Sequence, residues 1–160
     1  MIDYRALGWT PANVGELDHR TLKAPSVKLR GAHRGAGGDA VYCIDLRLRR
    51  PNAAEYLSAT EAHSLEHFLL EGFQRLLPRH FVGVGVMGCR TGFYLTLLNE
   101  GRRAVIEDAL ESILRGVLRA AEVPYAHIDR CGRWQDHDLG RARAVARAVL
   151  ERRAVWADVA

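Results

Sequence analysis

The segment AVYCIDLRLR, residues 40–49, gives the clearest indication of the fold. From residue 44 to residue 49, apolar side chains alternate with charged ones. A period of two residues is typical of a β-strand that turns one face to a hydrophobic core. The segment therefore predicts a strand over Ala40–Arg49 with an apolar face and a charged face, the latter carrying Asp45 and Arg47.

The rest of the chain is predicted to supply further strands and three helices. The other strand candidates are Ser26–Arg30, Phe81–Met87, Phe93–Leu98 and Tyr125–Arg130. The helices are expected over about Ala59–Leu77, Arg102–Ala121 and Leu139–Arg152. Because the strands come in pairs with helices between the pairs, we expect an α+β fold. A single domain, residues 1–160, would pack an antiparallel β-sheet against a layer of helices.

Local signals mark the ends of these elements. Ser58 with Glu61 three residues later is a capping-box pattern at the start of the first helix, and Pro78 should end that helix. Asp138 is the expected N-cap of the third helix. The glycine-rich stretch Gly31–Gly38 indicates a hairpin connection between the first two strands.

Composition excludes several classes of protein. The 160 residues are 48% hydrophobic and 26% charged, which is typical of a globular domain. The net charge is +4, but basic and acidic residues are interleaved, so we expect a solvated surface and no nucleic-acid partner. No run of about 18 apolar residues predicts a membrane span. No secretory signal pattern is present, which favours a cytoplasmic location.

The strongest chemical motif is His63-Ser64-Leu65-Glu66-His67. On a helix, residues separated by three and four positions lie on one face. His63 and His67 can therefore direct both imidazoles at one divalent metal, with the Glu66 carboxylate beside them to move protons. The alternative is a pair of histidines that only form hydrogen bonds.

Two of the three cysteines favour the metal interpretation. An odd number of cysteines without a signal peptide indicates free thiols rather than disulfides. Cys131 is expected just after a strand and before the third helix, where its thiolate could complete a His-His-Cys set with an open fourth position. Cys89, close to Gly88 and Gly92, could serve as an accessible nucleophile or base. Cys43, within a strand, is expected to be a small core side chain.

The motifs together resemble those of a known family, the S-ribosylhomocysteine lyases (LuxS). The resemblance depends on five blocks in order, spread over roughly residues 14–150: Leu17-Asp18-His19 with Lys23-Ala24-Pro25, Asp45-Leu46-Arg47 with Pro51-Asn52, His63-Ser64-Leu65-Glu66-His67, Met87-Gly88-Cys89-Arg90-Thr91-Gly92, and Cys131-Gly132 with His137-Asp138-Leu139.

The resemblance implies an enzyme that cleaves the thioether of S-ribosylhomocysteine. The products would be homocysteine and 4,5-dihydroxy-2,3-pentanedione, the precursor of a quorum-sensing signal. The matching metal ligands are His63, His67 and Cys131, and the matching acid/base residues are Cys89 and Glu66. One divalent metal per subunit is implied, iron(II) in the cell, with zinc or cobalt able to substitute.

The resemblance also implies a homodimer with two sites at the interface. His19 and Arg47 match residues that reach the substrate from the partner subunit. The charged face of the strand that carries Arg47 is compatible with this role.

The residue types suit the implied reaction. The thioether lies several carbons from the sugar carbonyl, so the carbonyl must migrate before sulfur can leave by β-elimination. Each migration passes through an enediolate, whose charge a Lewis-acidic metal stabilises, and each needs a proton removed and returned. Cys89 as thiolate and Glu66 can fill these two roles.

Two departures from the family pattern bear on the substrate. Val14 stands where the family has a serine, so a hydroxyl contact to the sugar would be lost. Gly83-Val84-Gly85-Val86 replaces an Asp-x-Ser-Pro run, which removes an aspartate suited to the homocysteine amino group. A divergent paralogue that acts on a related thioether sugar is therefore an alternative.

Two further alternatives use the histidine pair differently. An inverted zinc protease also has His-x-x-Glu-His but takes a downstream carboxylate as its third ligand. A purely structural metal site would close the fourth position, for which His137 is the nearest candidate. We expect His137 instead to lie at the entry to the third helix, beside Asp138.

Overall fold

A four-stranded antiparallel sheet forms one layer of the structure, a computed structural model that describes residues 2–160. Its strands are β1 (Ser26–Arg34), β2 (Ala40–Arg47), β3 (Phe81–Val86) and β4 (Gly92–Leu98), in the order β1-β2-β4-β3. The helices are α1 (Ala59–Leu76), α2 (Arg103–Arg119) and α3 (Leu139–Leu150), with short 3-10 turns at Pro11–Asn13 and Arg153–Val155. The predicted α+β class is confirmed.

The core lies between the sheet and the helices. Ile44 and Leu46 of β2 are fully buried, as the alternation predicted, and they share one core cluster with Leu65 of α1 and Leu110 of α2. Helix α1 contacts β3, α2 and α3, so one element links the two layers. No helix in residues 2–160 is both long and apolar enough to cross a bilayer.

The predicted helix caps are confirmed. The Ser58 hydroxyl accepts a hydrogen bond from the Glu61 amide at 3.1 Å, and the Ser58 amide donates to the Glu61 carboxylate at 2.7 Å. Asp138 accepts from the Arg141 amide at 2.9 Å. Because both caps satisfy amides that a helix leaves unpaired, they fix where α1 and α3 begin.

The prediction of a strand over Tyr125–Arg130 is wrong. Tyr125 has a positive φ of 58°, and the amides of Arg130 and Cys131 both donate to the His127 carbonyl. Ile128 is 79% exposed. The segment folds into local turns because no neighbouring strand supplies partners for its backbone. Cys131 therefore follows a turn, not a strand.

Several predicted boundaries also differ from the structure, among them the ends of β2 at Arg47 rather than Arg49 and of α2 at Arg119 rather than Ala121. Strand β1 continues through Gly31 to Arg34, so only the second half of Gly31–Gly38 lies in the hairpin connection, and β1 departs from regular register between Leu29 and Gly31. Helix α3 ends at Leu150 rather than Arg152.

The charged face of β2 is buried, which alternation alone did not predict. Asp45 is 1% exposed and Arg47 is 2% exposed. Lys28, which lies opposite Asp45 in the β1–β2 register, is also buried. Charged groups are buried where they find partners, and the neighbouring strand supplies one here.

Candidate metal centre and thiol cleft

Helix α1 and the loop before α3 bring four potential metal ligands together: His63, His67, Cys131 and His137. Their ligand atoms all lie within 4.8 Å of one another. Cys131 Sγ is 3.3 Å from His63 Nε2 and 3.7 Å from His137 Nε2. The helix places the two α1 histidines one turn apart on the same face, as the motif spacing predicted.

Hydrogen bonds on the far side of the rings orient the two α1 histidines. His63 Nδ1 lies 3.0 Å from the Asp136 carbonyl oxygen, and His67 Nδ1 lies 2.7 Å from the Pro124 carbonyl oxygen. A carbonyl can only accept, so each Nδ1 donates, and Nε2 is the ring nitrogen left to bind a metal. Metal-binding histidines usually donate the hydrogen of their second ring nitrogen to a carbonyl or carboxylate in this way.

The spacing of the donor atoms fits a single divalent ion. In a tetrahedral site with bonds of about 2.1 Å to nitrogen and about 2.3 Å to sulfur, neighbouring N and S ligands lie about 3.6 Å apart. The two sulfur–nitrogen distances at Cys131 lie on either side of that value. Imidazole and thiolate are ligands that suit zinc, iron(II) and cobalt(II) better than calcium or magnesium.

His137 is both at the entry to α3 and in the cluster. Burial and the neighbouring His63 and His67 lower the pKa of His137 to about 4. Its imidazole is therefore neutral at neutral pH. The expectation that placed it beside Asp138 was correct as to position, but a sequence pattern could not show that the loop folds it back against α1.

Glu66 lies on α1 between the two histidines and is half-buried. Within residues 2–160, its carboxylate has no hydrogen-bond or ion-pair partner. Asp136, which precedes His137 in the chain, reaches His63 only through its backbone oxygen, while its side chain contacts Thr60 and Arg133. The side chain that accompanies the two α1 histidines in the cluster is thus a thiol rather than a carboxylate, which disfavours the inverted-protease alternative.

Cys89 lies in a separate cleft of about 340 Å³, whose lining includes His19, Asn52, Tyr56 and Arg90. Its thiol is exposed. Partial desolvation raises the pKa of the Cys89 thiol, but the hydroxyl and amide of Thr91 and the charge of Arg47 outweigh this effect, so the pKa lies below its ordinary value. A lowered pKa supplies the thiolate that acid/base chemistry needs near neutral pH.

Arg47 and His19 belong to the Cys89 side of the molecule. Arg47 Nη1 lies 3.8 Å from Cys89 Sγ, and His19 lines the same cleft. None of the four cluster residues lines that cleft. His19, Arg47 and Cys89 therefore lie on the same side of one chain, with Arg47 buried behind the cleft. That His19 and Arg47 reach the substrate of the partner subunit stays a prediction.

Comparisons with known proteins agree with this arrangement. A family model described as S-ribosylhomocysteinase (LuxS) matches residues 14–160. The S-ribosylhomocysteine lyase of Halobacillus halophilus is 38% identical over 143 residues, covering 89% of this chain and 93% of that protein. The chain belongs to the LuxS family.

Other relatives of the same name are equally similar. The S-ribosylhomocysteine lyase of Helicobacter pylori strain J99 is 38% identical, with 89% of this chain and 93% of that protein covered. That of Oceanobacillus iheyensis is 38% identical, with 89% and 92% covered.

Residues 2–13 lie outside the LuxS match but belong to the folded structure. Trp9 is 1% exposed, and its Nε1 donates to the Gly101 carbonyl at 2.7 Å. Asn13 is also buried. Val14 itself forms a parallel bridge with Leu29, so the segment that leads to His19 is held along the edge of the sheet.

Sequence reasoning missed the buried polar residues around the LuxS thiol. Lys28, Asp45 and Thr91 are all at most 2% exposed, and each contacts Arg47 or the carboxylate that Arg47 binds. In the sequence, such a network shows only as polar residues on the strand face that points away from the core. Most polar residues at such positions are solvated, so the pattern does not predict burial.

Proposed function

We propose that this protein is an S-ribosylhomocysteine lyase, which cleaves its substrate to homocysteine and 4,5-dihydroxy-2,3-pentanedione. Its family membership supports the reaction class. The observation that carries the proposal is the convergence of His63, His67 and Cys131, which are distant in sequence, on one small volume. A thiol with a lowered pKa in a second cleft supplies the other half of the chemistry.

The metal would be held by His63, His67 and Cys131, with iron(II) in the cell and zinc or cobalt as substitutes. When bound, the ion would supply Lewis acidity at the sugar carbonyl oxygen. The His67 and His63 rings are already oriented for this by their carbonyl partners. The proximity of His137 does not require it to be a ligand, since three protein ligands leave a place for substrate.

Cys89 and Glu66 would move the protons. Carbonyl migration along the sugar needs a proton removed from one carbon and another returned to its neighbour. The Cys89 thiolate accepts a carbon proton, and the unpaired Glu66 carboxylate moves the proton between sugar oxygens. Once the ketone is β to the C–S bond, removal of one more proton breaks that bond and releases homocysteine.

A site that needs both Glu66 and Cys89 favours a homodimer. Glu66 lies beside the histidine cluster, whereas Cys89 lies in a cleft to which none of the cluster residues contributes. Two copies related by a two-fold axis would set the cluster of one chain against the Cys89 cleft of the other, twice. Each active site would then be complete only in the dimer.

Subunit mixing tests this arrangement. Glu66→Gln and Cys89→Ala chains, each inactive alone, should recover roughly a quarter of wild-type activity after random exchange, because half the dimers keep one intact site. The matched control mixes His19→Ala with Cys89→Ala, which damages the same cleft and should give no recovery. Absence of recovery in the first mixture, with exchange verified by mass spectrometry, would contradict a shared site.

The function itself is tested by thiol release. Iron-loaded protein incubated with S-ribosylhomocysteine should release homocysteine, measured with a thiol reagent. Cys89→Ala should abolish release while it retains metal, and Cys43→Ala, a cysteine in the sheet, should leave release unchanged. No release from the fully loaded wild-type protein would refute the proposed reaction.

The paralogue alternative has its own support in the structure. Gly83 and Gly85 leave open space beside β3, where the family pattern has larger polar residues. The same assay with S-ribosylcysteine, which has a shorter amino-acid arm, distinguishes an S-ribosylhomocysteine lyase from a paralogue with a related substrate. Faster release from S-ribosylcysteine would favour a related thioether sugar as substrate.

A further inference from the structure

A row of buried charges lies behind Cys89. The side chains of Lys28, Asp45 and Arg47 are only 2–3% exposed. Asp45 Oδ2 is 2.6 Å from Arg47 Nη2 and 3.5 Å from Lys28 Nζ. Lys28 Nζ also donates to the Gly15 carbonyl at 2.9 Å, in the segment that leads to the cleft residue His19.

Arg47 connects this row to the thiol. Its Nη2 donates to Asp45, while its Nη1 donates to Thr91 Oγ1 at 2.5 Å and lies 3.8 Å from Cys89 Sγ. Thr91 Oγ1 is in turn 3.0 Å from Cys89 Sγ. The guanidinium is a planar fork, so fixing one nitrogen against Asp45 fixes the direction of the other.

The charges in the row do not balance without the thiol. Two cations, Lys28 and Arg47, share one carboxylate, that of Asp45, in a region closed to solvent. A buried charge without a partner is costly. A thiolate at Cys89 supplies the second negative charge.

We propose that Asp45 is a positioning residue for Cys89: its carboxylate holds Arg47 against the thiol, with Lys28 as its second cation. The inference deepens the proposed function and depends on it only for what the thiolate does with substrate. Asp45 does not touch the cleft; it acts through Arg47. The other titratable or charged groups that face Cys89 are His19, Tyr56 and Arg90.

The direction in which Asp45→Asn shifts the pKa of Cys89 distinguishes a positioning role for Asp45 from a purely electrostatic one. As a mere nearby anion, Asp45 would disfavour a thiolate, so Asp45→Asn would lower the pKa of Cys89. If Asp45 positions Arg47, the same change frees the guanidinium and the pKa of Cys89 rises. The two roles therefore predict opposite shifts.

The experiment measures iodoacetamide alkylation of Cys89 against pH, with each cysteine resolved by peptide mass spectrometry. The chains compared are wild type, Asp45→Asn, Asp45→Glu, Arg47→Met and the Asp45→Asn/Arg47→Met double variant. We expect Asp45→Asn to slow alkylation at any pH well below the pKa of Cys89, by about tenfold for each unit by which that pKa rises, since the thiolate is the reactive form. Asp45→Glu should restore part of the rate.

The double variant completes the test. Without Arg47 there is nothing for Asp45 to position, so Asp45→Asn should not slow alkylation further in the Arg47→Met background. Faster or unchanged alkylation in the single Asp45→Asn variant would overturn the proposal. So would an equal slowing in both backgrounds.

A second variant keeps the test decisive if Asp45→Asn does not fold. Arg47→Lys retains the charge but lacks the fork that spans Asp45 and Thr91. The proposal predicts slower alkylation in Arg47→Lys, and an unchanged pH profile would overturn it. Alkylation needs neither substrate nor metal, so a failure of lyase activity with these thiol profiles intact would count against the proposed function alone.

Discussion

Gly92 is the residue whose substitution should most directly disturb both the sheet and the thiol cleft. It begins β4 and pairs with Arg47 of β2. A Cβ at this position would lie 2.2 Å from the Leu46 carbonyl oxygen and 3.0 Å from Arg47 Cα. Both are backbone atoms of the central strand, so no side chain can rotate away from the contact.

The cost of Gly92→Ala follows from that geometry. To bring the Cβ to 3.0 Å from the oxygen, β2 and β4 must separate locally by about 0.8 Å, which takes ladder hydrogen bonds beyond their normal length. Overpacking costs about 1–3 kcal/mol, and the alanine recovers about 0.5–1 kcal/mol of backbone entropy. We expect a net loss of about 1 kcal/mol in the free energy of unfolding.

Urea denaturation at one fixed protein concentration measures this loss, and alkylation of Cys89 measures its effect on the cleft. Arg47 Nη1 already lies 3.8 Å from the sulfur, so a shift of its strand should remove the contact and slow alkylation. Gly83→Ala on β3 is the matched control, because a Cβ there has no atom within 4 Å. A midpoint for Gly92→Ala equal to that of Gly83→Ala would refute the reasoning.

Three further predictions concern single side chains. The lowered pKa of Cys89 means that its alkylation rate should rise and level off at a lower pH than that of a free cysteine, whose pKa is about 8.5; a midpoint at or above that value would contradict it. Trp9→Phe leaves the Gly101 carbonyl unpaired in the core and should cost about 1–3 kcal/mol in urea denaturation. Ser58→Ala should cost about 1 kcal/mol by loss of the α1 cap, with Ser58→Thr close to wild type, and equal stability of the two would argue against the cap.

Elements with their own local signal were predicted well. The alternation of residues 44–49 identified β2, and the Ser58–Glu61 and Asp138 caps placed the starts of α1 and α3. These signals are local, since they depend on side chains a few residues apart. The segment Tyr125–Arg130 shows the limit of such local signals. Its sequence pattern resembles that of a strand, but a strand forms only where another strand pairs with it.

In the candidate site, too, local features could be predicted from the sequence and long-range contacts could not. The spacing of His63 and His67 on one helix was sufficient to predict that they share a face. The approach of Cys131 and His137 depends on how the loop before α3 folds, so the sequence alone offered Cys131 only as a possible third ligand and His137 only as a candidate for a fourth. The burial of Asp45 and Arg47 depends on Lys28 in the neighbouring strand, a pairing that a period of two residues does not reveal.

The metal centre is tested most directly by cobalt(II) titration of the metal-free protein, followed by absorption spectroscopy. The proposed set of His63, His67 and Cys131 predicts one cobalt ion per chain with a thiolate-to-cobalt charge-transfer band, and loss of that band in Cys131→Ala but not in Cys43→Ala. A band that persists in Cys131→Ala, or a wild-type protein that binds no cobalt, would contradict the account.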